Sequence, residues 1–208
     1  MFDKPIEING NSQELIRGHG EFKKYENEIN IIEAKSDFLT LAKTRRSNRR
    51  FKQEKDVSKE QLLRLIEAAQ AAPSAGNCQP WHFYAVKNKK VQAELKESAY
   101  NQDFILSAPA CIIICTDSKR NEQRYGERGK NLYCLQDTAA AVQNILLCAK
   151  VMGLGTCWVG AFDEDKAAEI LNLPENFRPV ALIPLGYPAE EFKPQNRRPI
   201  DEIVTFIE

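Results

Sequence analysis

Histidine occurs only twice in the 208 residues, at His19 and His82, and no two of the six cysteines stand as a C-x-x-C pair. A zinc or iron–sulfur centre needs clustered soft ligands, so no metal is expected to carry the function. The cysteines at 78, 111, 115, 134, 148 and 157 read instead as reduced thiols of a reducing compartment, with Cys78 set apart by its polar neighbours. No Ser-His-Asp or Cys-His arrangement is legible, and His82 falls in a strand-like run where it reads as structural. No apolar run reaches the roughly 18–20 residues that span a bilayer. The start, Met1-Phe2-Asp3-Lys4-Pro5-Ile6-Glu7, lacks the basic-then-apolar order of a secretory signal, which leads to the expectation of a cytoplasmic protein without a membrane partner. Lys and Arg number 29, as do Asp and Glu, so no global field favours nucleic acid. Walker motifs are absent. The glycines at 153, 155 and 160 follow a helical pattern and precede a strand, the reverse of the order in a dinucleotide fingerprint.

Against this neutral background, residues 43–52 hold six cations and no acid. Taken alone, the stretch suits either a solvated charge run or an anion site. Arg45, Ser47 and Arg49 alternate, so in an extended segment they share one face, while Asn48 and Arg50 point away. Arginine forks plus a hydroxyl are the donors a phosphate wants. Aromatic residues do not interleave the cations, which argues against a nucleic-acid groove.

The chain has 43% hydrophobic residues and a length suited to one core. Residues 1–35 read as a polar arm, with a short helix or strand near 27–34, and 36–208 as a single domain. Ser36 caps a short helix into the basic stretch. Ser58-Lys59-Glu60-Gln61 is a capping box with Val57 and Leu62 as staple, starting a helix over 59–72 that stops before Pro73. Residues 73–80, Pro-Ser-Ala-Gly-Asn-Cys-Gln-Pro, are turn chemistry, and 81–86 are a strand. Gly76 permits close backbone approach, and the amides and hydroxyl of this turn suit a planar heterocycle as well as an ordinary loop. Asn88 caps a helix over 89–99, and 102–107 add a helical turn. Residues 110–116 are a strand buried on both faces. Residues 117–130 read as an irregular charged loop of lid type. Residues 131–152 form a long helix, buried nearly all round, as expected of packing against a second subunit. A short strand over 156–159, an Asp163-capped helix to 171, a strand over 179–185 and an extended tail over 188–199 follow. Residues 200–206 close as a helical turn or an edge strand. Helices and four or five strands without strict βα alternation make an α+β fold.

Five motifs, in order, resemble those of the nitroreductase family of FMN enzymes over residues 38–208. They are Arg-Arg-Ser-x-Arg at 45–49, Pro-Ser-Ala-Gly-Asn-x-Gln-Pro-Trp at 73–81, Leu-Tyr-x-Leu-Gln-Asp-Thr-Ala-Ala-Ala at 132–141, Gly-Leu-Gly-Thr-Cys-Trp-Val-Gly-Ala-Phe at 153–162 and Arg-Arg-Pro at 197–199. The resemblance implies a three-layer α+β fold with a mixed, mostly antiparallel sheet flanked by helices, in an intertwined homodimer with FMN at the subunit interface. It implies that Arg45, Arg46, Ser47 and Arg49 hold the FMN phosphate and ribityl chain. Arg197 returns to the same phosphate, with Arg198 as helper. It implies that Pro73, Ser74, Asn77 and Gln79 reach the flavin from the partner subunit. Gln136 would touch the ribityl chain or ring, and Val159, Gly160 and Ala161 would form a backbone shelf. No side chain need act as acid or base: flavin passes hydride from NADH or NADPH to a small electron-poor acceptor such as a nitroaromatic or quinone. Arg124, Tyr125 and Arg128 are candidates to gate the acceptor pocket. A specialised relative, a reductive dehalogenase or flavin-cleaving enzyme, and a non-catalytic flavin-binding protein are the competing readings.

Overall fold

The computed structural model describes residues 38–190 and 195–207. The expected arm over 1–35, its element near 27–34 and the Ser36 cap lie outside the described residues.

Four strands form one sheet: β1 (Trp81–Val86), β2 (Ala110–Asp117), β3 (Gly155–Thr156) and β4 (Phe177–Gly186), in the order β1-β2-β4-β3. Every strand pair is antiparallel, and the parallel element is a single bridge from Ser47 to Thr156 at the β3 edge. The strand β2 lies between β1 and β4 and is buried along nearly its whole length, as its unbroken apolar run requires. Side chains alternate across a strand. Ile112 and Ile114 therefore join Ile183 and Leu185 on one face, while Cys111, Ile113 and Cys115 join Leu182 on the other.

The first face is covered by α2 (Lys59–Gln70) and α6 (Cys134–Val151), through Leu62, Leu65, Ala69, Val142, Ile145 and Ala149. The second face packs against α3 (Lys89–Ser98), α4 (Phe104–Ser107) and α7 (Glu164–Ile170), through Leu95, Ile105 and Ala167. Three layers result, in the α+β class that the order of elements predicts. The capping box forms in full: Ser58 Oγ accepts from the Gln61 amide at 3.2 Å, and Gln61 Oε1 accepts from the Ser58 amide at 3.0 Å. Asn88 and Asp163 cap α3 and α7 as expected.

Residues 117–130 depart from expectation. They are not an irregular loop: α5 spans Ser118–Arg128, with a kink at Gly126 (φ 57°), and a π turn over Gly129–Tyr133 leads into α6. The charged composition hid the helix because its inner stripe is polar. Asn121 is fully buried, and Lys130–Glu122 and Asn131–Glu127 contacts tie its outer side together. Within one chain the long helix is not covered all round. Gln136 and Gln143 are exposed, and the face with Leu135 and Ala139 is half-buried. The strand expected over 156–159 shortens to Gly155–Thr156 plus a bridge from Val159 to Leu182. Residues 200–206 hold a 3-10 turn at Ile200–Glu202, with Ile203 and Phe206 exposed, as is Ile207 beyond them. The short helix α1 (Phe38–Thr44) buries none of its residues.

Candidate functional site

The basic stretch is laid along the β3 edge. The Asn48 amide donates to Thr156 O at 2.8 Å, Lys52 N donates to Tyr187 O at 2.9 Å, and Phe51, 4% exposed, plugs the core. With Asn48 and Phe51 turned inward, Ser47 and Arg49 face out, and Asn48 is 1% exposed with both side-chain amide atoms, Oδ1 and Nδ2, unpartnered. Arg50 also points away and meets Glu190 at 3.7 Å on the surface.

Arg45, Ser47 and Arg49 all act on the Cys157 thiol. Burial pushes the Cys157 thiol up, while Arg49, the Ser47 hydroxyl and Arg45 pull it the other way. Arg49 is steadied by Phe104, whose ring centroid lies 5.6 Å from its guanidinium carbon. Arg45 is half-buried and its guanidinium is held below its ordinary value, first by burial and then by the charges of Arg197 and Arg46. The tail therefore brings Arg197 back to the basic stretch. No carboxylate pairs with Arg45, Arg49 or Arg197 among the described residues. Two of the expected ligands are engaged elsewhere. Arg46 turns back to donate to Lys43 O at 2.5 Å and Arg45 O at 2.8 Å, and Arg198 is taken up by Glu202 at 3.2 Å.

The second group of residues lies at the opposite corner of the sheet. The loop over 73–80 feeds the start of β1, where Trp81 stands opposite Thr116 and, through it, Arg178; Thr156 stands opposite Leu185. Three strand spacings of roughly 4.8 Å, and the rise from Arg178 to Leu185 at about 3.4 Å per residue, set the two corners on the order of 25 Å apart. The loop is a single 3-10 turn (Ala75–Asn77) with left-handed φ at Gly76 (54°), Asn77 (58°) and Gln79 (49°). Ser74 Oγ accepts from the Gln79 amide at 3.0 Å, and Gln79 Nε2 donates to Asn77 Oδ1 at 3.1 Å. The helix α5 clasps it from outside: Arg124 donates to Gly76 O at 2.6 Å and Arg120 to Cys78 O at 2.8 Å. A Cβ on Gly76 would run into the Tyr125 hydroxyl and the Arg124 guanidinium. Arg124 and Tyr125 thus brace this loop, and Arg128 is bonded to the Tyr133 hydroxyl at 2.9 Å. Pro73 and Asn77 are exposed.

Between the corners, a cavity of about 230 Å³ is lined by Leu135, Ala139 and Val142 of α6, by Trp158 and Val180, and by Glu164 and Arg178, which pair at 2.7 Å. Gln136 neighbours this lining and is exposed, and Gly160 and Ala161 continue from Trp158. Val159 is buried and bridged to Leu182, so it offers backbone rather than side chain. No cluster of three or more metal-ligating side chains occurs among the described residues, and no helix there is long and apolar enough to cross a membrane.

The model of the Nitroreductase family matches residues 42–102 and 94–187. The chain belongs to the nitroreductase family. A solved nitroreductase family protein from Streptococcus pneumoniae superposes with a TM-score of 0.75 at 30% identity, covering 82% of this chain and 100% of that one. A Thermus thermophilus protein named NADH dehydrogenase is 31% identical over 196 residues, covering 81% of this chain and 95% of its own. A Bacillus subtilis protein named FMN reductase (NADPH) is 28% identical over 146 residues, which is 64% of this chain and 59% of that relative.

Sequence reasoning missed four residues around the site. Phe104 supports Arg49, Cys157 lies beneath the cations, and Asp137 and Asn121 form a buried pair behind the 73–80 loop. A signal for the third existed: Asp137 is the one acid of α6, set in a run of Ala, Leu and Val. The others come from elements far apart in the chain and left no local trace.

Proposed function

We propose that the chain is an FMN-dependent oxidoreductase that passes hydride from NADH or NADPH to a small electron-poor acceptor, a nitroaromatic, quinone or similar molecule. The observation that carries the reading is the Arg45–Arg197 cluster. The charges of Arg197 and Arg46 act on the half-buried Arg45, and no carboxylate pairs with Arg45, Arg49 or Arg197 among the described residues. Such repulsion costs folding energy and is relieved by an anion. A phosphate dianion fits the donor set of Arg45, Ser47, Arg49 and Arg197, with Arg46 and Arg198 in an outer ring. FMN, when bound, supplies the hydride chemistry at its flavin ring.

The protein's part is to bind, orient and exclude. Ser74, Asn77 and Gln79 offer amide and hydroxyl groups from the braced loop, Pro73 flanks them, and Gln136 adds a further amide. The backbone of Val159, Gly160 and Ala161 beside Trp158 offers a flat surface. The two corners stand too far apart in one chain to close on a single ligand, which supports a homodimer in which each copy lends its loop to the other's phosphate clamp. The exposed Ile203, Phe206 and Ile207 and the uncovered face of α6 are the apolar surface such a dimer would cover. Arg124 and Tyr125, bound to the loop, sit where they would line the acceptor's approach, with Arg128 one turn on. The reading places the enzyme in the cytoplasm.

The test is direct. The purified protein is expected to be yellow, to release FMN on denaturation and to take it up again. Anaerobic mixing with NADH and NADPH should bleach the flavin band, and a nitroaromatic or quinone should restore it. A colourless protein that takes up no added FMN would sink the proposal. FMN bound but unreduced by either nicotinamide would leave a binding protein without turnover.

A further inference from the structure

Asp137 is a buried carboxylate, 7% exposed, with no cation paired to it among the described residues. Both its oxygens are used. Oδ1 accepts from the Ala75 amide at 2.9 Å, and Oδ2 accepts from Asn121 Nδ2 at 2.9 Å. Asn121 is fully buried, and its own Oδ1 has no partner. One carboxylate thus joins three elements: α6, α5 and the 73–80 loop.

The loop needs such a joint. Two of its non-glycine residues, Asn77 and Gln79, hold left-handed φ, a conformation that persists only where surroundings impose it. The Arg124 and Arg120 contacts are exposed and reach the loop from its solvent side. The Ala75–Asp137 bond is the tie from beneath, at the residue where the turn begins. A carboxylate only accepts, so it dictates that both partners be donors. It thereby fixes the Asn121 amide with its nitrogen inward and leaves Asn121 Oδ1 unpartnered. An unpaired buried charge is costly, and a mere filler of this space would be cheaper as an apolar side chain.

We infer that Asp137 is a positioning residue. Acting with Asn121, it holds the 73–80 loop in the left-handed shape that presents Ser74, Asn77 and Gln79 to the flavin of the facing subunit. The inference rests on the flavin reading given above. It acts at the corner opposite Arg45 and Arg197, so it governs the grip on the ring and leaves the grip on phosphate alone.

The experiment uses four full-length variants: Asp137→Ala, Asp137→Asn, Asn121→Asp and the exchange pair Asp137→Asn with Asn121→Asp. Three measurements are made on each. They are FMN affinity by fluorescence quenching, amide hydrogen exchange over residues 73–80 in the apoprotein, and the rise in melting temperature with inorganic phosphate. Asp137→Ala is expected to speed exchange over 73–80 and weaken FMN binding about tenfold or more, with the phosphate response unchanged. Asp137→Asn should stay within about threefold of the natural protein, because Asn121 can turn its amide and offer the free Oδ1. Asn121→Asp sets two carboxylates against each other and should match Asp137→Ala. The exchange pair restores a donor facing an acceptor and should recover affinity and protection together.

If Asp137→Ala or Asn121→Asp loosens the loop yet binds FMN normally, the inference is overturned while the flavin reading stands. If FMN affinity and phosphate response fall together, or the exchange pair fails to recover, Asp137 serves the fold generally and the inference is likewise overturned. A natural protein that takes up no FMN at all overturns both.

Discussion

Replacing Arg197 by alanine separates stability from function. In the ligand-free chain the charge of Arg197 is one reason the half-buried Arg45 guanidinium is held below its ordinary value, after burial itself. A cation shifted in that direction is destabilised in its charged form. It stays charged throughout the accessible pH range, so the folded state bears the cost at every working pH. Two like charges a few ångströms apart repel by about 1 kcal/mol in a water-like dielectric, and screening around a half-exposed group reduces this to a few tenths. Arg197→Ala should therefore leave the apoprotein unchanged or more stable, by about 1 °C in melting temperature for a chain of this size. On the proposed reading the same change would remove one charge-assisted contact to the FMN phosphate, worth about 1.5–3 kcal/mol, which is roughly a 10- to 100-fold loss of affinity. Scanning fluorimetry of stripped protein, with and without inorganic phosphate, reads the first effect. Titration of FMN into the same protein reads the second. Undiminished FMN binding, or an apoprotein melting several degrees lower, would refute the reasoning, because Arg197 would then be a structural residue of the tail.

Further tests follow from other contacts. Arg49→Ala should weaken FMN binding about tenfold or more, whereas Arg50→Ala loses only an exposed pair with Glu190 and should change affinity by less than about twofold; equal losses would make the stretch a diffuse cation patch. Gly76→Ala adds a methyl group at φ 54° against Tyr125 and Arg124, and is expected to cost about 1–3 kcal/mol in urea unfolding. Burial pushes the Cys115 thiol up to about 12, so at pH 8 it should resist iodoacetamide until the chain unfolds, while half-buried Cys78 is labelled in the native protein; mass spectrometry of the peptides decides. Lys87 lowers the Asp56 carboxyl through a 2.7 Å hydrogen bond. That contribution is present above the unfolded value of Asp and lost as pH falls through the lower folded one. The pair is exposed, so the part of the Lys87→Met cost that depends on Asp56 should be no more than about 0.5–1 kcal/mol at pH 7 and vanish near pH 2, leaving only the loss of the 2.8 Å bond from Lys87 to Val57 O.

How much was legible in advance differs from element to element. The capping box at Ser58, the caps at Asn88 and Asp163 and the unbroken run of β2 were readable because each depends on residues within one turn or one strand. The alternation of Ser47 and Arg49 against Asn48 was readable for the same reason. The helix α5 was not, because its buried residue is Asn121, which bonds Asp137 of α6, and a polar inner face carries no hydrophobic period. The exposed glutamines of α6 were likewise overruled by its apolar average.

The sequence by itself determined the helix caps, the central strand and the family, since motif order and short-range chemistry are written along the chain. Only the tertiary structure decided which cations meet. It brings Arg197 to Arg45, turns Arg46 and Arg198 to other partners, and seats Cys157 beneath the group. It also decided that the Arg45 corner and the 73–80 loop lie at opposite ends of the sheet. Both follow from strand order and register, and those are fixed by burial of the whole core rather than by any short stretch of residues.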